Sequence, residues 1–195
     1  ADLTDGIITS AKIADGTIVG ADINTTFDLT GKTVTGAGGG KVLQVVSTTK
    51  TDTFGVALGN AFADITGLSV SITPSSASNK ILIIANVNHG CESFRTTGLK
   101  LLRGATGISL GTPEGIRTVA STVALGQNYD VNRGENTIIH YLDSPSTTSS
   151  TTYKIQVGIF EATVDVARVN TTSGDANYTY ITRSASSITA MEIAG

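Results

Sequence analysis

The sequence predicts an all-β chain with two parts. Residues 1–40 form a short N-terminal β-repeat stem ending in a Gly-rich hinge, and residues 41–195 form an antiparallel, jelly-roll-like β-sandwich head. Three observations predict this. An aliphatic residue returns every five positions at the start of the chain. Beyond residue 40, short runs of alternating or continuous apolar residues are separated by polar turn clusters, with no convincing helical period. The composition leans the same way. Only 15% of residues are charged, there are 22 Gly and 3 Pro, and Thr and Ser are abundant. Thr suits strands, while Ser and Gly suit turns.

The stem comes first. Its aliphatic series is Leu3, Ile8, Ile13, Ile18 and Ile23, and a small residue stands two places before each: Ala1, Gly6, Ala11, Gly16 and Ala21. A helix repeats near 3.6 residues and a strand at 2, so a period of five points to coiled β structure. Asp-Gly at 5–6 and 15–16 supplies tight turns. Five blocks make only about one turn of a square coil, whereas a solenoid needs about three stacked repeats to stand alone. One chain cannot bury this face, so either the segment belongs to a longer solenoid upstream or several chains supply the missing surface; the second is expected, as a trimer. The cluster GAGGG at 36–40 reads as a hinge.

The head follows. VLQVV (42–46) opens it. LSVSIT (68–73) alternates strictly, with Leu68, Val70 and Ile72 on one face. KILIIANVN (80–88) is apolar on both faces, as a central strand would be. Further strands are expected at LKLLR (99–103), IRTVASTVA (116–124), NTIIHYLD (136–143), TYKIQVGIF (152–160), NYTYIT (177–182) and SITAMEI (187–193). Eight or nine short strands with polar turns between them suit a sandwich of jelly-roll type.

Several function classes are disfavoured. The net charge is −3 and the 13 Lys and Arg are scattered, which argues against nucleic-acid binding. ILIIA (81–85) is too short for membrane insertion. Nothing at the start reads as a signal peptide. A single Cys, Cys91, excludes an internal disulfide framework. GKT at 31–33 lacks the upstream Gly of a phosphate loop, since Thr26 stands there, and GAGGG lacks a following helix. Asp5, Asp15 and Asp22 are conceivable cation ligands on a symmetry axis. Turn formation accounts for Asp5 and Asp15 more simply, so neither metal nor cofactor is expected.

Catalysis is not expected either. HGCE places His89 and Cys91 on one strand face, but a rim position with a small, partly buried Cys explains it better than a nucleophile–base pair. His140 shares a side with Ile138 and Leu142 and reads as a satisfied core or subunit-interface histidine. Glu114, Asp130, Glu135, Asp143 and Glu161 are spread over separate strands and turns and form no evident glycosidase pair.

Two loops offer a binding surface. GQNYDVNRGEN (126–136) carries Asn128, Tyr129, Asn132 and Arg133. SGDANYTY (173–180) carries Asp175, Asn177, Tyr178 and Tyr180. Tyr gives a rigid amphipathic face and Asn adaptable hydrogen bonds, which suits a carbohydrate or a flat protein surface. The Asn-x-Thr sequences at Asn24, Asn170 and Asn177 matter only in a eukaryotic secretory route.

KVLQVVSTTKTDTF (41–54), ITGLSVSITPSSASNKILIIANV (65–87), LLRG (101–104), YLDSP (141–145), TTYKIQV (151–157) and SASSITAMEIAG (184–195) together resemble phage fibre proteins. The likeness is to the C-terminal domains of tail-fibre-like structural proteins from phages of marine and cyanobacterial hosts. ITSAKIADGTIVGADI (8–23) is similar to stem segments of such fibres. The resemblance implies a homotrimeric virion appendage with a sandwich head, joined to other virion proteins through its stem. It implies attachment to a glycan or protein of the host surface and supplies no binding residues. The alternatives are a capsid decoration or tail-assembly protein without a receptor role, and a small glycan depolymerase.

Overall fold

The computed structural model describes residues 41–92, 95–124, 134–172, 175–179 and 181–195. The stem residues Leu3, Ile8, Ile13, Ile18 and Ile23 lie outside the described residues, as do Asn128, Tyr129, Asn132, Arg133 and Tyr180. Eleven strands are described: β1 (Val42–Lys50), β2 (Phe54–Leu58), β3 (Ala61–Ile72), β4 (Lys80–Cys91), β5 (Thr97–Arg103), β6 (Thr106–Ile108), β7 (Thr122–Ala124), β8 (Glu135–Asp143), β9 (Thr151–Ile159), β10 (Asp165–Val169) and β11 (Ser186–Ile193). They form two sheets, and every pairing is antiparallel. No α-helix occurs among the described residues.

Three strand pairs share a column. β1 and β2 follow one another along an edge, β11 and β10 pair beside them, and β6 and β7 both pair with the same side of β5. The eleven strands therefore make eight columns. Sheet A runs β1/β2, β11/β10, β4, β8, and sheet B runs β3, β9, β5, β6/β7. Numbered along the chain, the columns order as 1-8-3-6 and 2-7-4-5. That is the jelly-roll order, with successive columns crossing between sheets except at the β5–β6 hairpin.

The core fills the space between the sheets. Strict alternation places Leu68, Val70 and Ile72 of β3 inward, as the sequence indicates, along with Tyr153, Ile155, Val157 and Ile159 of β9. From sheet A come Ile81, Ile83, Ala85 and Val87 of β4, with Ile188 and Ala190 of β11. Each buried aliphatic side chain contributes about 2 kcal/mol relative to exposure. β4 is central, as expected, but only one of its faces is fully buried; the Leu82 and Ile84 face is half-buried.

Some expected strands differ. Only Thr122–Ala124 of 116–124 is strand, and the described residues of 177–182 form turns. Strands β2, β6 and β10 are too short for a period to be read from sequence. Gly67 explains a break in β3. It has φ +81° and lies where the β3–β9 register shifts between Asp64 and Ser69, so the extra backbone there takes a conformation that glycine tolerates.

The outer faces of the two sheets differ in chemistry. Sheet B turns Ser69, Ser71, Thr152, Lys154 and Gln156 outward, and Asp64 accepts hydrogen bonds from Lys154 (2.6 Å) and Gln156 (2.8 Å). These two donors hold the Asp64 carboxyl below its usual range. Further along, Phe62 covers Gly158, where a Cβ would come within 2.6 Å of its ring. Phe160 covers Gly98, and the Lys100 ammonium sits 4.0 Å over the Phe62 ring. Sheet A presents Val45, Met191, Leu82 and Leu142 in one row across all four columns.

Candidate functional site at one end of the sandwich

Strand direction sorts the connections to two ends. At one end lie the turns 59–60 and 160–164, with Glu92, Arg95 and Thr96 beside them. Backbone hydrogen bonds tie these turns together: Asn60 N donates to Glu161 O (2.7 Å) and Phe160 N to Thr96 O (3.2 Å). The Glu161 carboxylate accepts from Thr96 N at 3.0 Å. Arg168 pairs with Glu92, and Arg95 approaches Asp165 at 4.0 Å. The turns therefore form a cross-linked rim.

The two loops singled out from sequence leave the sandwich close together. Gly134 lies near the end of the first, and Thr172 precedes the second. A Cβ at Gly134 would lie 3.9 Å from the Thr172 methyl and 3.9 Å from the His89 carbonyl oxygen. β8 and β10 are not neighbours in sequence, and only the pairing of both with β4 creates this juxtaposition.

Within the second loop the described residues divide. The Asp175 carboxylate accepts from Thr171 Oγ1 at 2.7 Å and pairs with Arg183 at 2.8 Å. It braces the loop. Asn177 and Tyr178 are exposed, and Tyr178 N donates to Ala176 O at 3.0 Å in a turn. Tyr178 thus presents its ring to solvent from a braced base.

Beneath the rim, His89 is fully buried, not at a rim position as the sequence suggested. Its Nε2 is 2.9 Å from Thr137 Oγ1 and its Nδ1 is 3.1 Å from Thr97 Oγ1. A neutral imidazole donates at one nitrogen and accepts at the other, and two hydroxyls satisfy both. Cys91 is buried on the same face, and its Sγ donates to Arg95 O at 3.3 Å. With both ring nitrogens engaged by threonines, His89 links β4, β5 and β8 structurally. Burial pushes its pKa from the ordinary 6.5 down to about 4.

A pH dependence follows. The unfolded chain takes up a proton near pH 6.5 that the folded chain refuses until about pH 4. His89 thus contributes full stability above pH 6.5, which is lost as pH falls towards 4. Between pH 7 and pH 5 the expected loss is about 2 kcal/mol. Urea unfolding at both pH values checks this, and His89→Gln is expected to remove most of the difference. An unchanged difference in that variant would assign the dependence to other groups.

His140 departs from the core alternative of the sequence reading. It is exposed on the outer face of sheet A, because the β8 register turns Ile139 inward and Ile138, His140 and Leu142 outward. Asp143 and Glu161 lie at opposite ends of the sandwich, Asp143 bound to Arg103 and Tyr153 and Glu161 to Thr96 N. Glu114 pairs with Arg117 in an exposed turn. Among the described residues no group of three His, Cys, Asp or Glu is placed to hold a metal ion, and no helix is long and apolar enough to cross a membrane. Asn170, one of the Asn-x-Thr positions, is wholly buried and hydrogen-bonded, so its amide is not available to a glycan.

No protein-family model and no curated protein matches the chain. Solved structures that resemble it include infectious bursal disease virus, Gx strain, at 12% identity and TM-score 0.39, covering 78% of this chain and 37% of that one. A VP2 subviral particle of the same virus matches at 10% identity and TM-score 0.38, covering 77% and 41%. The chain therefore aligns with less than half the length of these proteins.

Proposed function

We propose that the chain is a virion structural protein, the trimeric fibre of a phage, whose head attaches to a glycan or protein of the host surface. The observation that carries the attachment role is the common origin of the two Tyr- and Asn-bearing loops beside Gly134 and Thr172. A sandwich frame from which two polar, aromatic loops spring side by side suits recognition, because binding residues sit commonly on loops carried by a rigid scaffold. The phrasing shared with phage fibres and the five-residue repeat support the fibre and trimer parts. The reading assigns no catalysis, metal or cofactor.

The test is adsorption. Purified full chain, fluorescently labelled, is incubated with susceptible and resistant cells. Saturable binding to susceptible cells alone is expected, with competition for adsorption by the parent phage. Tyr129→Ala and Tyr178→Ala are expected to weaken binding about tenfold or more each, as loss of an aromatic anchor does. Equal binding to both cell types, or none to either, would remove the receptor role and favour a decoration or assembly protein.

A further inference from the structure

We propose that the host receptor is a neutral saccharide, held on the outer face of sheet A by the free amide groups of Asn86 and Asn136 at the foot of the two Tyr-bearing loops. The inference deepens the attachment part of the proposed function and rests on it.

The register builds the site. Asn88 of β4 pairs with Asn136 of β8, Asn86 with Ile138, and Ile84 with His140, and all six side chains belong to the outer face. One backbone group fixes how the three amides point. Asn88 Nδ2 donates to Ala185 O at 2.7 Å, which leaves its Oδ1 to face Asn136. Asn136 Nδ2 donates to that oxygen at 3.2 Å and also to Asn86 Oδ1. An amide accepts at one end and donates at the other. This chain of bonds leaves Asn136 Oδ1 and Asn86 Nδ2 without a hydrogen-bond partner among the described residues. The loop roots bound the patch. Val169 of β10 pairs with His89 and Ser187 of β11 with Asn86, so the segment between them leaves the sheet beside the amides. Its Thr172 methyl lies 3.9 Å from a Cβ at Gly134, two positions before Asn136.

Chemistry, charge and area together select a saccharide as the occupant. A free N–H beside a free carbonyl oxygen matches neighbouring hydroxyls, each of which both donates and accepts. Beside the amides, Ile138 is 54% exposed and Ile84 half-buried, and His140 is exposed. These groups offer a low, mostly apolar surface to the C–H face of a sugar ring. Charge points the same way. Arg168 on β10 pairs with Glu92, and Arg183 in the second loop pairs with Asp175. Each cation is matched by an acid, so the surroundings favour a neutral ligand over a charged one. Area excludes a larger partner. Two strands about 4.8 Å apart, with same-face residues about 7 Å apart along each, give the six side chains roughly 200 Å². A protein partner needs about 800 Å² per side. The patch fits a short stretch of sugar instead, and the hydrogen bonds that orient its amides exist before the ligand arrives, which lowers the cost of binding.

The test uses the labelled full chain and susceptible cells that are untreated, oxidised with periodate, which cleaves vicinal diols, or digested with protease. Periodate is expected to lower binding at least tenfold and protease to leave it unchanged, and polysaccharide extracted from the same cells is expected to compete. Asn86→Asp keeps the acceptor for Asn136 and loses only the free donor, and Asn136→Ala removes the free acceptor. Each is expected to weaken binding about tenfold, as loss of a partner for a desolvated polar group does. Ser71→Asp, on the outer face of sheet B, is expected to bind as the unsubstituted chain does. Far-UV dichroism and a cooperative thermal transition report folding. Should either amide variant lack that transition, His140→Ala at an exposed position of the edge strand β8 gives the same reading with less perturbation. Binding that survives periodate and is lost to protease overturns the saccharide and leaves the attachment reading standing. Periodate-sensitive binding that the amide and His140 variants leave unchanged overturns the site. No binding to untreated cells overturns both this inference and the attachment reading.

Discussion

Replacing Asn170 with alanine is expected to destabilise the head by about 4 kcal/mol, lowering its thermal midpoint by about 10 °C. Asn170 is fully buried at the end of β10. Its Nδ2 donates to the carbonyls of Lys50 (2.8 Å) and Asp52 (3.0 Å), which form the bend between β1 and β2. Its Oδ1 accepts from Ser186 Oγ at 2.6 Å, at the start of β11. Its own N–H donates to Asn88 O at 2.9 Å. One side chain thus holds both places where a column of sheet A passes from one strand to the next. Alanine leaves two carbonyls and a hydroxyl unpaired, at about 1 kcal/mol each. It must also hold φ at +61°, which Asn tolerates better than Ala, for about 1 kcal/mol more. Asn170→Gly separates the terms, because it loses the same bonds without the strain. Glycine is expected to recover about 1 kcal/mol, and a total loss below about 1 kcal/mol in the alanine variant would refute this account.

The second large effect is expected at the opposite end of the sandwich. Asp143 of β8 is buried, and it accepts from Tyr153 Oη at 2.7 Å and from Arg103 Nη1 at 3.0 Å. Both donors belong to sheet B, so this carboxylate joins the sheets through polar contacts. Burial, reinforced by the adjacent Asp143 charge, pushes the Tyr153 pKa far up and keeps its hydroxyl a donor. Asp143→Ala is expected to cost about 3 kcal/mol in chemical denaturation. Partial exposure of Arg103 lets water recover some of its solvation and holds the figure at the low end for a broken buried pair. Asp143→Asn keeps an acceptor for Tyr153 and is expected to cost about half as much. A cycle with Tyr153→Phe gives the coupling directly, and a coupling near zero would show that this contact adds nothing to the packing between the sheets.

A different carboxylate closes that same end. Glu192 of β11 turns inward and receives Ser75 N (2.6 Å), Ser75 Oγ (2.7 Å) and Asn79 Nδ2 (2.6 Å). Burial raises its pKa, but these hydrogen bonds outweigh it and hold the carboxyl below its usual range. Any stability it contributes is lost as pH falls below the ordinary carboxylate value of 4.5, a window below the one assigned to His89.

Period and composition by themselves determined a large share of this protein. Alternation at Leu68, Val70 and Ile72 predicted an inward face because side chains on a strand point alternately to its two sides. The continuous run at 80–88 predicted a central strand, and β4 does pair on both edges. The absence of a helical period held throughout the described residues. Short strands escaped notice for the same reason. DVARV (165–169) places Asp165, Ala167 and Val169 inward, and three positions of mixed polarity do not display a period.

Only the tertiary structure decided what depends on contacts distant in sequence. A jelly-roll order is a statement about which strands are neighbours, and β1 meets β11 although Val42 and its partner Ile193 stand near opposite ends of the head. The burial of His89 depends on Thr97 and Thr137 arriving from other strands, since neither ring nitrogen would otherwise have a partner. His140 was ambiguous because alternation says which residues share a side, while the sheet decides whether that side faces the core. The same limit applies to the Tyr-bearing loops and to the apolar row on sheet A. Sequence named the Tyr-bearing loops and the aliphatic strands one by one. Pairing of β4 with both β8 and β10 placed the roots of the loops side by side, and the register of four columns aligned Val45, Met191, Leu82 and Leu142 into one surface.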